Sequence, residues 1–131
     1  MYKKILLLLV IIVTAAACQK DDEPKNVTYF VQGFGDSYKV VYSYGEGNAT
    51  KVETVKPQGI SDVWKFSFTA PPGEITYLYI ESKEDISASM SFNASILIDG
   101  KTFQKALSYD KQLIKGSDTV YIIKRSGTVP Y

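Results

Sequence analysis

The stretch from Ser89 to Asp99 does most to limit what this chain can become. Met90, Phe92, Ala94, Ile96 and Ile98 alternate with Ser89, Ser91, Asn93 and Ser95. A period of two places every apolar side chain on one face of a strand, whereas a helix, with about 3.6 residues per turn, would scatter them. Asp99-Gly100 then supplies a two-residue hairpin signal, because both residues tolerate positive φ. Lys101 to Tyr109 is expected to pair back along the strand.

The same alternation recurs along the chain. Asn26 to Phe34 alternates around Val27, Tyr29 and Val31. Ser37 to Tyr44 puts Tyr38, Val40, Tyr42 and Tyr44 on one face. Gly45-Glu46-Gly47-Asn48 reads as a turn, and Ala49 to Val55 returns with Lys51 and Glu53 on a common side. Val63 to Ala70 turns Trp64, Phe66 and Phe68 inward and Lys65 and Ser67 outward. Ile75 to Ser82 sets Leu78 and Ile80 against Ile75, Tyr77 and Tyr79, and Thr119 to Lys124 makes a last strand. Lys56 to Gly59, Pro71-Pro72-Gly73, the polar link Lys83 to Ala88, Asp110 to Asp118 and the tail Ser126 to Tyr131 are expected to be irregular. Seven or eight short strands with turn signals at this spacing predict an antiparallel two-sheet sandwich. No sustained helical period appears from Cys18 onward.

The N-terminus follows a different logic. Lys3 and Lys4 precede nine residues without a polar side chain, Ile5 to Val13, and small residues follow. A basic start, a short apolar stretch and small residues before a cut are the parts of a secretory signal. A membrane span needs about 20 apolar residues, and Ile5 to Ala17 offers thirteen. Cys18 is the only cysteine, so it has no internal disulfide partner. Ala15-Ala16-Ala17-Cys18 resembles a bacterial lipobox, which implies cleavage before Cys18 and a thioether-linked lipid on its thiol. Ala15 departs mildly from the larger apolar residue usual at that place. Gln19-Lys20-Asp21-Asp22-Glu23 resembles the export signal that Gram-negative bacteria of the Bacteroidetes type place behind the lipidated cysteine. That resemblance implies palmitate and diacylglycerol chains holding the protein to the outer membrane, facing the exterior. The expected division is a signal peptide at 1–17, a lipidated cysteine and acidic tether at 18–25, and a β-sandwich at 26–131.

Composition narrows the chemistry. Fifteen basic and fourteen acidic residues leave a formal charge of +1. With no basic excess to gather phosphates, nucleic acid is not expected as a partner. The chain has no histidine, which removes the commonest general base and transition-metal ligand. The acidic clusters Asp21-Asp22-Glu23 and Glu84-Asp85 read as solvated runs, and the second pair is too few oxygens for a hard cation. No phosphate loop or nucleophile elbow is present. The expectation is a non-catalytic protein without cofactor or metal.

Aromatic residues are the better lead, with ten Tyr, six Phe and one Trp. If Leu78 and Ile80 fill the core, Tyr77 and Tyr79 point outward as a flat platform for sugar rings or a protein partner. The opposite assignment buries them. Three glycosylation patterns beginning at Asn26, Asn48 and Asn93 have no expected use in a bacterial lipoprotein. Asp118-Thr119-Val120 is similar to the triplet these bacteria O-glycosylate, with Thr119 as acceptor.

Landmarks from Val27 to Ser108 resemble the extracytoplasmic domain of the MmpS family of transport-accessory membrane proteins. They are Val27-x-Tyr29-x-Val31-x-Gly33, Val41-Tyr42 before the Gly45 and Gly47 turn, Val63-Trp64, Tyr79-Ile80-Glu81-Ser82, and Ile96-Leu97-Ile98-Asp99-Gly100-Lys101. The resemblance implies an immunoglobulin-like sandwich and, as a second functional reading, an accessory subunit of an envelope transport complex facing the periplasm. A lipid anchor in place of that family's spanning helix departs from the pattern.

Overall fold

The computed structural model describes residues 21–87 and 89–131. The expected lipidation site Cys18, together with Gln19 and Lys20, lies outside the described residues.

Nine strands form two antiparallel sheets. They are β1 (Lys25–Gln32), β2 (Tyr38–Ser43), β3 (Thr50–Val55), β4 (Val63–Ala70), β5 (Ile75–Ser82), β6 (Asn93–Ile98), β7 (Lys101–Ala106), β8 (Lys111–Lys115) and β9 (Asp118–Thr128). The smaller sheet runs β4-β1-β6-β7, and the larger runs β3-β2-β5-β9-β8. β1 pairs with β4 in one sheet, and β5 lies between β2 and β9 in the other, as in an antiparallel β-sandwich. The β6–β7 hairpin completes the smaller sheet on the other side of β1.

Alternation decides which side chains meet between the sheets. Val27, Tyr29 and Val31 from β1 and Val40, Tyr42, Leu78 and Ile80 from the larger sheet are fully buried. Burying each such side chain contributes about 1.5–3 kcal/mol. Aromatic rings form the seam: Tyr42 meets Phe66 and Trp64 with ring centres 4.6 and 5.1 Å apart, and Tyr29 meets Phe68 at 5.6 Å. Phe34 stacks on Tyr38 at 4.4 Å and meets Phe92 edge-on, closing the end where β1 leads into β2.

One polar link crosses the core. Ser43 Oγ donates to the Ile75 carbonyl (3.1 Å) and accepts from the Tyr77 amide (3.0 Å). Its hydrogen is thereby committed, so the Tyr29 hydroxyl, 2.8 Å away, donates to it. Burial pushes the Tyr29 phenol pKa up and keeps it a neutral donor. The link joins β1 of one sheet to β2 and β5 of the other.

The strand count is nine rather than seven or eight because the segment expected as a loop, Asp110 to Asp118, contains β8. Lys115 pairs with Asp118 across a two-residue turn in which Gly116 has φ 66°. A glycine first in a two-residue connection is the II′ hairpin pattern. Further expectations are corrected. The last strand continues past Lys124, so Ser126 to Thr128, expected as irregular tail, pair with β5. The strand drawn from Ser89 begins at Asn93, leaving Met90 fully exposed. Tyr44 lies just beyond β2 and is exposed rather than in the core row. The link expected to be polar also anchors itself, since Ile86 is buried.

Gly33 sits where the chain leaves β1, at φ 101°, and a Cβ there would lie 2.5 Å from the Phe92 backbone. Gly33→Ala combines left-handed strain with a backbone clash, and we expect a loss of about 2–4 kcal/mol in urea unfolding. Gly59→Ala meets nothing within 4 Å and is the control expected to change stability little.

Candidate functional site

On β5, Thr76, Leu78, Ile80 and Ser82 face the core, so Ile75, Tyr77, Tyr79 and Glu81 line the outer face of the larger sheet. Register extends that face sideways. Val41 pairs with Tyr79 and with Val52, and Lys124 lies opposite Tyr79 on β9. Val52 and Ile75 are exposed, while Tyr77 and Tyr79 are half-buried. The arrangement is an aromatic and aliphatic platform rather than a closed pocket.

Polar groups hold it in shape. The Tyr79 hydroxyl donates to Glu81 Oε2 (3.0 Å), and Lys115 Nζ from β8 donates to the same oxygen (2.8 Å). The lysine, and then the tyrosine, hold the Glu81 carboxyl below its ordinary pKa, against the pull of burial. Burial and then the Glu81 hydrogen bond push the Tyr79 phenol up to about 12. Lys124 stands over the Tyr77 ring, 5.6 Å from its centre, a cation–π contact. Beside Tyr77 lies a shallow groove of about 270 Å3 bounded by Ser43, Asn48, Thr50 and Ile75. A broader hollow of about 410 Å3 lies beyond Glu81, between Lys39, Thr54, Lys83 and Val120.

A second cluster lies where β3 and β4 meet. Glu53 accepts from the Tyr42 hydroxyl (2.6 Å), Trp64 Nε1 (3.2 Å) and Lys51 Nζ (2.8 Å). Lys51 first, and Tyr42 next, lower the Glu53 pKa. This carboxylate ties the edges of the two sheets together.

The remaining sequence candidates are separate from the platform. Asp21 pairs with Lys25, and its Oδ1 accepts from the Glu23 amide (3.3 Å), so this part of the tether folds back at the start of β1. Asp22 is exposed. Glu84 and Asp85 act as loop clamps: Glu84 Oε2 accepts from the Gly35 and Asp36 amides (2.9 and 3.0 Å), and Asp85 from the Ser87 amide (2.9 Å). Thr119 is half-buried in β9, opposite Ile114. Among the described residues no group of three or more acidic or cysteine side chains is placed to hold a metal ion, and no helix is long and apolar enough to cross a membrane.

Sequence reasoning missed the Glu81–Tyr79–Lys115 and Glu53–Trp64 links. Glu81 was legible as a neighbour on the face of Tyr79, two residues on, but Lys115 belongs to β8, which the sequence pattern does not mark as a strand. Glu53 was legible only through the β2–β3 register, which sets it opposite Val40 on the inner face. Comparison with protein-family models, with curated proteins and with solved structures finds no match.

Both carboxylates have folded pKa values below the ordinary 4.5. Their contribution is therefore present above that value and is lost as pH falls through the folded values. Replacing both (Glu53→Gln, Glu81→Gln) should cost on the order of 1 kcal/mol at pH 7. It should also flatten the loss of stability on acidification, measured by urea unfolding from neutral pH down to about pH 3. An equally steep acid limb in the variant would contradict the assignment.

Proposed function

We propose that the protein is a non-catalytic, lipid-anchored binding or accessory module of the cell envelope. In this reading Cys18 carries the lipid and Gln19 to Glu23 direct the domain to the exterior face of the outer membrane. The partner is a protein or a glycan, met through Tyr77 and Tyr79. The carrying observation is that β5 presents both tyrosines on the outer face, in register with Val41 and exposed Val52. Rigid aromatic surface of this kind is what interface anchors and sugar-stacking faces are built from.

The tether enters at Lys25, beside the Asp99–Gly100 turn, since the Asp99 amide donates to the Asn26 carbonyl (2.8 Å). The described chain therefore enters the sandwich at the end of β1 that carries the Asp99–Gly100 turn. A second reading, an MmpS-like accessory subunit of a periplasm-facing transport complex, is supported by the sequence landmarks and is compatible with the two-sheet antiparallel fold.

The test is crosslinking on intact cells followed by capture of the native chain and of a Tyr77→Ala, Tyr79→Ala variant. With the fold verified by circular dichroism, the variant is expected to lose partner recovery on the order of tenfold or more, the scale of two interface anchors. Undiminished recovery removes the tyrosine face. Recovery of an integral inner-membrane transporter favours the second reading.

A further inference from the structure

The larger sheet is one strand wider than the smaller one. Facing contacts show how they overlap. Glu53 on β3 meets Trp64 on β4, Tyr29 on β1 meets Ser43 on β2, and Arg125 on β9 donates to the Lys105 carbonyl on β7 (2.9 Å). With β4 over β3, β1 beside β2 and β7 over β9, the strand beyond β9 overhangs. That strand is β8, and all five of its residues are exposed. Leu113 shares the outer face with Val120, its partner in register, while Ile114 turns to the other side, where no strand covers it, and is 78% exposed.

Exposed strand edges invite pairing, and natural proteins usually cover them. Here β3 and β4 are tied to each other through Glu53, and the Lys105 carbonyl of β7 is capped by Arg125. On β8, one row of main-chain groups pairs with β9 and the other faces outward. Charge then selects among occupants. Lys111 and Lys115 flank Leu113 on the outer face. A second copy pairing antiparallel about Leu113 would set Lys111 against Lys115 twice, which is unfavourable. An extended segment with carboxylates at those two positions and a small apolar residue between them fits. Lys115 holds Glu81 through one hydrogen bond, and an ammonium has three donors.

We propose that β8 is a docking edge for an acidic, extended polypeptide segment, which adds to the larger sheet as a further antiparallel strand. Backbone pairing supplies affinity, and the alternation of acidic and apolar side chains supplies register. An anionic glycan could neutralise the lysines but has no amide ladder to match the edge. The edge adjoins the tyrosine face, which Lys115 also braces through Glu81, and Lys111 belongs to the edge alone; the proposal rests on the reading of the domain as a binding module.

The test uses the mature lipidated chain in nonionic detergent and a fluorescent peptide, glycine-flanked Glu-Val-Val-Thr-Glu. Saturable binding read by anisotropy is expected, weakened by salt, with slowed amide exchange over residues 111–115. The exposed Lys111 side chain makes no ion pair among the described residues, so Lys111→Glu should weaken binding several-fold without disturbing the fold. Adding Lys115→Glu should bring the loss to the order of tenfold. Tyr77→Ala, Tyr79→Ala should leave it intact, so failure of the tyrosine site and failure of the edge are told apart. Three results overturn the proposal: no binding by the folded chain, equal binding by a peptide N-methylated along its pairing edge, or binding of polygalacturonate at this edge without binding of the peptide.

Discussion

The hydrogen-bonded contact between Tyr29 and Ser43 is the point on which the two sheets are set against each other. The main-chain register between β2 and β5 ends at Tyr42 opposite Leu78. Beyond it the Ser43 side chain takes over, bonding both the Ile75 carbonyl and the Tyr77 amide. Tyr29 completes the group from the opposite sheet. Every polar atom in it is satisfied, which matters because leaving one buried partner unpaired costs about 1–3 kcal/mol. An apolar core alone tolerates sliding of one sheet on another, and this link has a single geometry. It also determines the phase of β5, with Thr76, Leu78 and Ile80 inward and Tyr77 and Tyr79 outward.

From that phase follow the features on which the functional reading stands. The inner face is filled by rings from β1, β2 and β4, and its margins are closed by Glu53 on one side and Arg125 with Asp110 on the other. On the outer face of the larger sheet, side chains alone bury Val120 and Ile122 and leave Tyr77 and Tyr79 half-buried. Its tyrosines are braced by Glu81, Lys115 and Lys124 and so present preformed surface. Preformed surface binds with less entropic cost than surface that must order on contact. Width does the rest, because a larger sheet over a smaller one leaves β8 without a facing layer.

Much of this was legible in the residues. Period-two alternation placed β4 and β5 at their observed limits, Val63 to Ala70 and Ile75 to Ser82, because Pro71-Pro72-Gly73 and flanking polar segments bound them sharply. Asp99-Gly100 marked its hairpin for the same local reason, and both residues take positive φ. What stayed hidden was non-local. Lys111 to Lys115 lacks an alternating apolar face because β8 has no layer above it, so the pattern that reveals a half-buried strand is absent. Only Gly116-Ser117, a hairpin dipeptide, could have revealed it. Met90 continued the alternation of its neighbours but lies outside the strand, which Gly33 and Phe92 end by close backbone approach. Which face of β5 is solvent depended on a hydroxyl on β1, a contact no local pattern carries.

The open face and the anchor that would hold it outside the cell can be tested together. Protease shaving of intact cells would compare the natural chain with one in which Lys20, Asp21 and Asp22 are replaced by alanine. The expected result is that the natural domain is cleaved from the cell surface while the variant is protected. Protection of both chains would contradict surface display and place the domain, with its tyrosine face, on the periplasmic side.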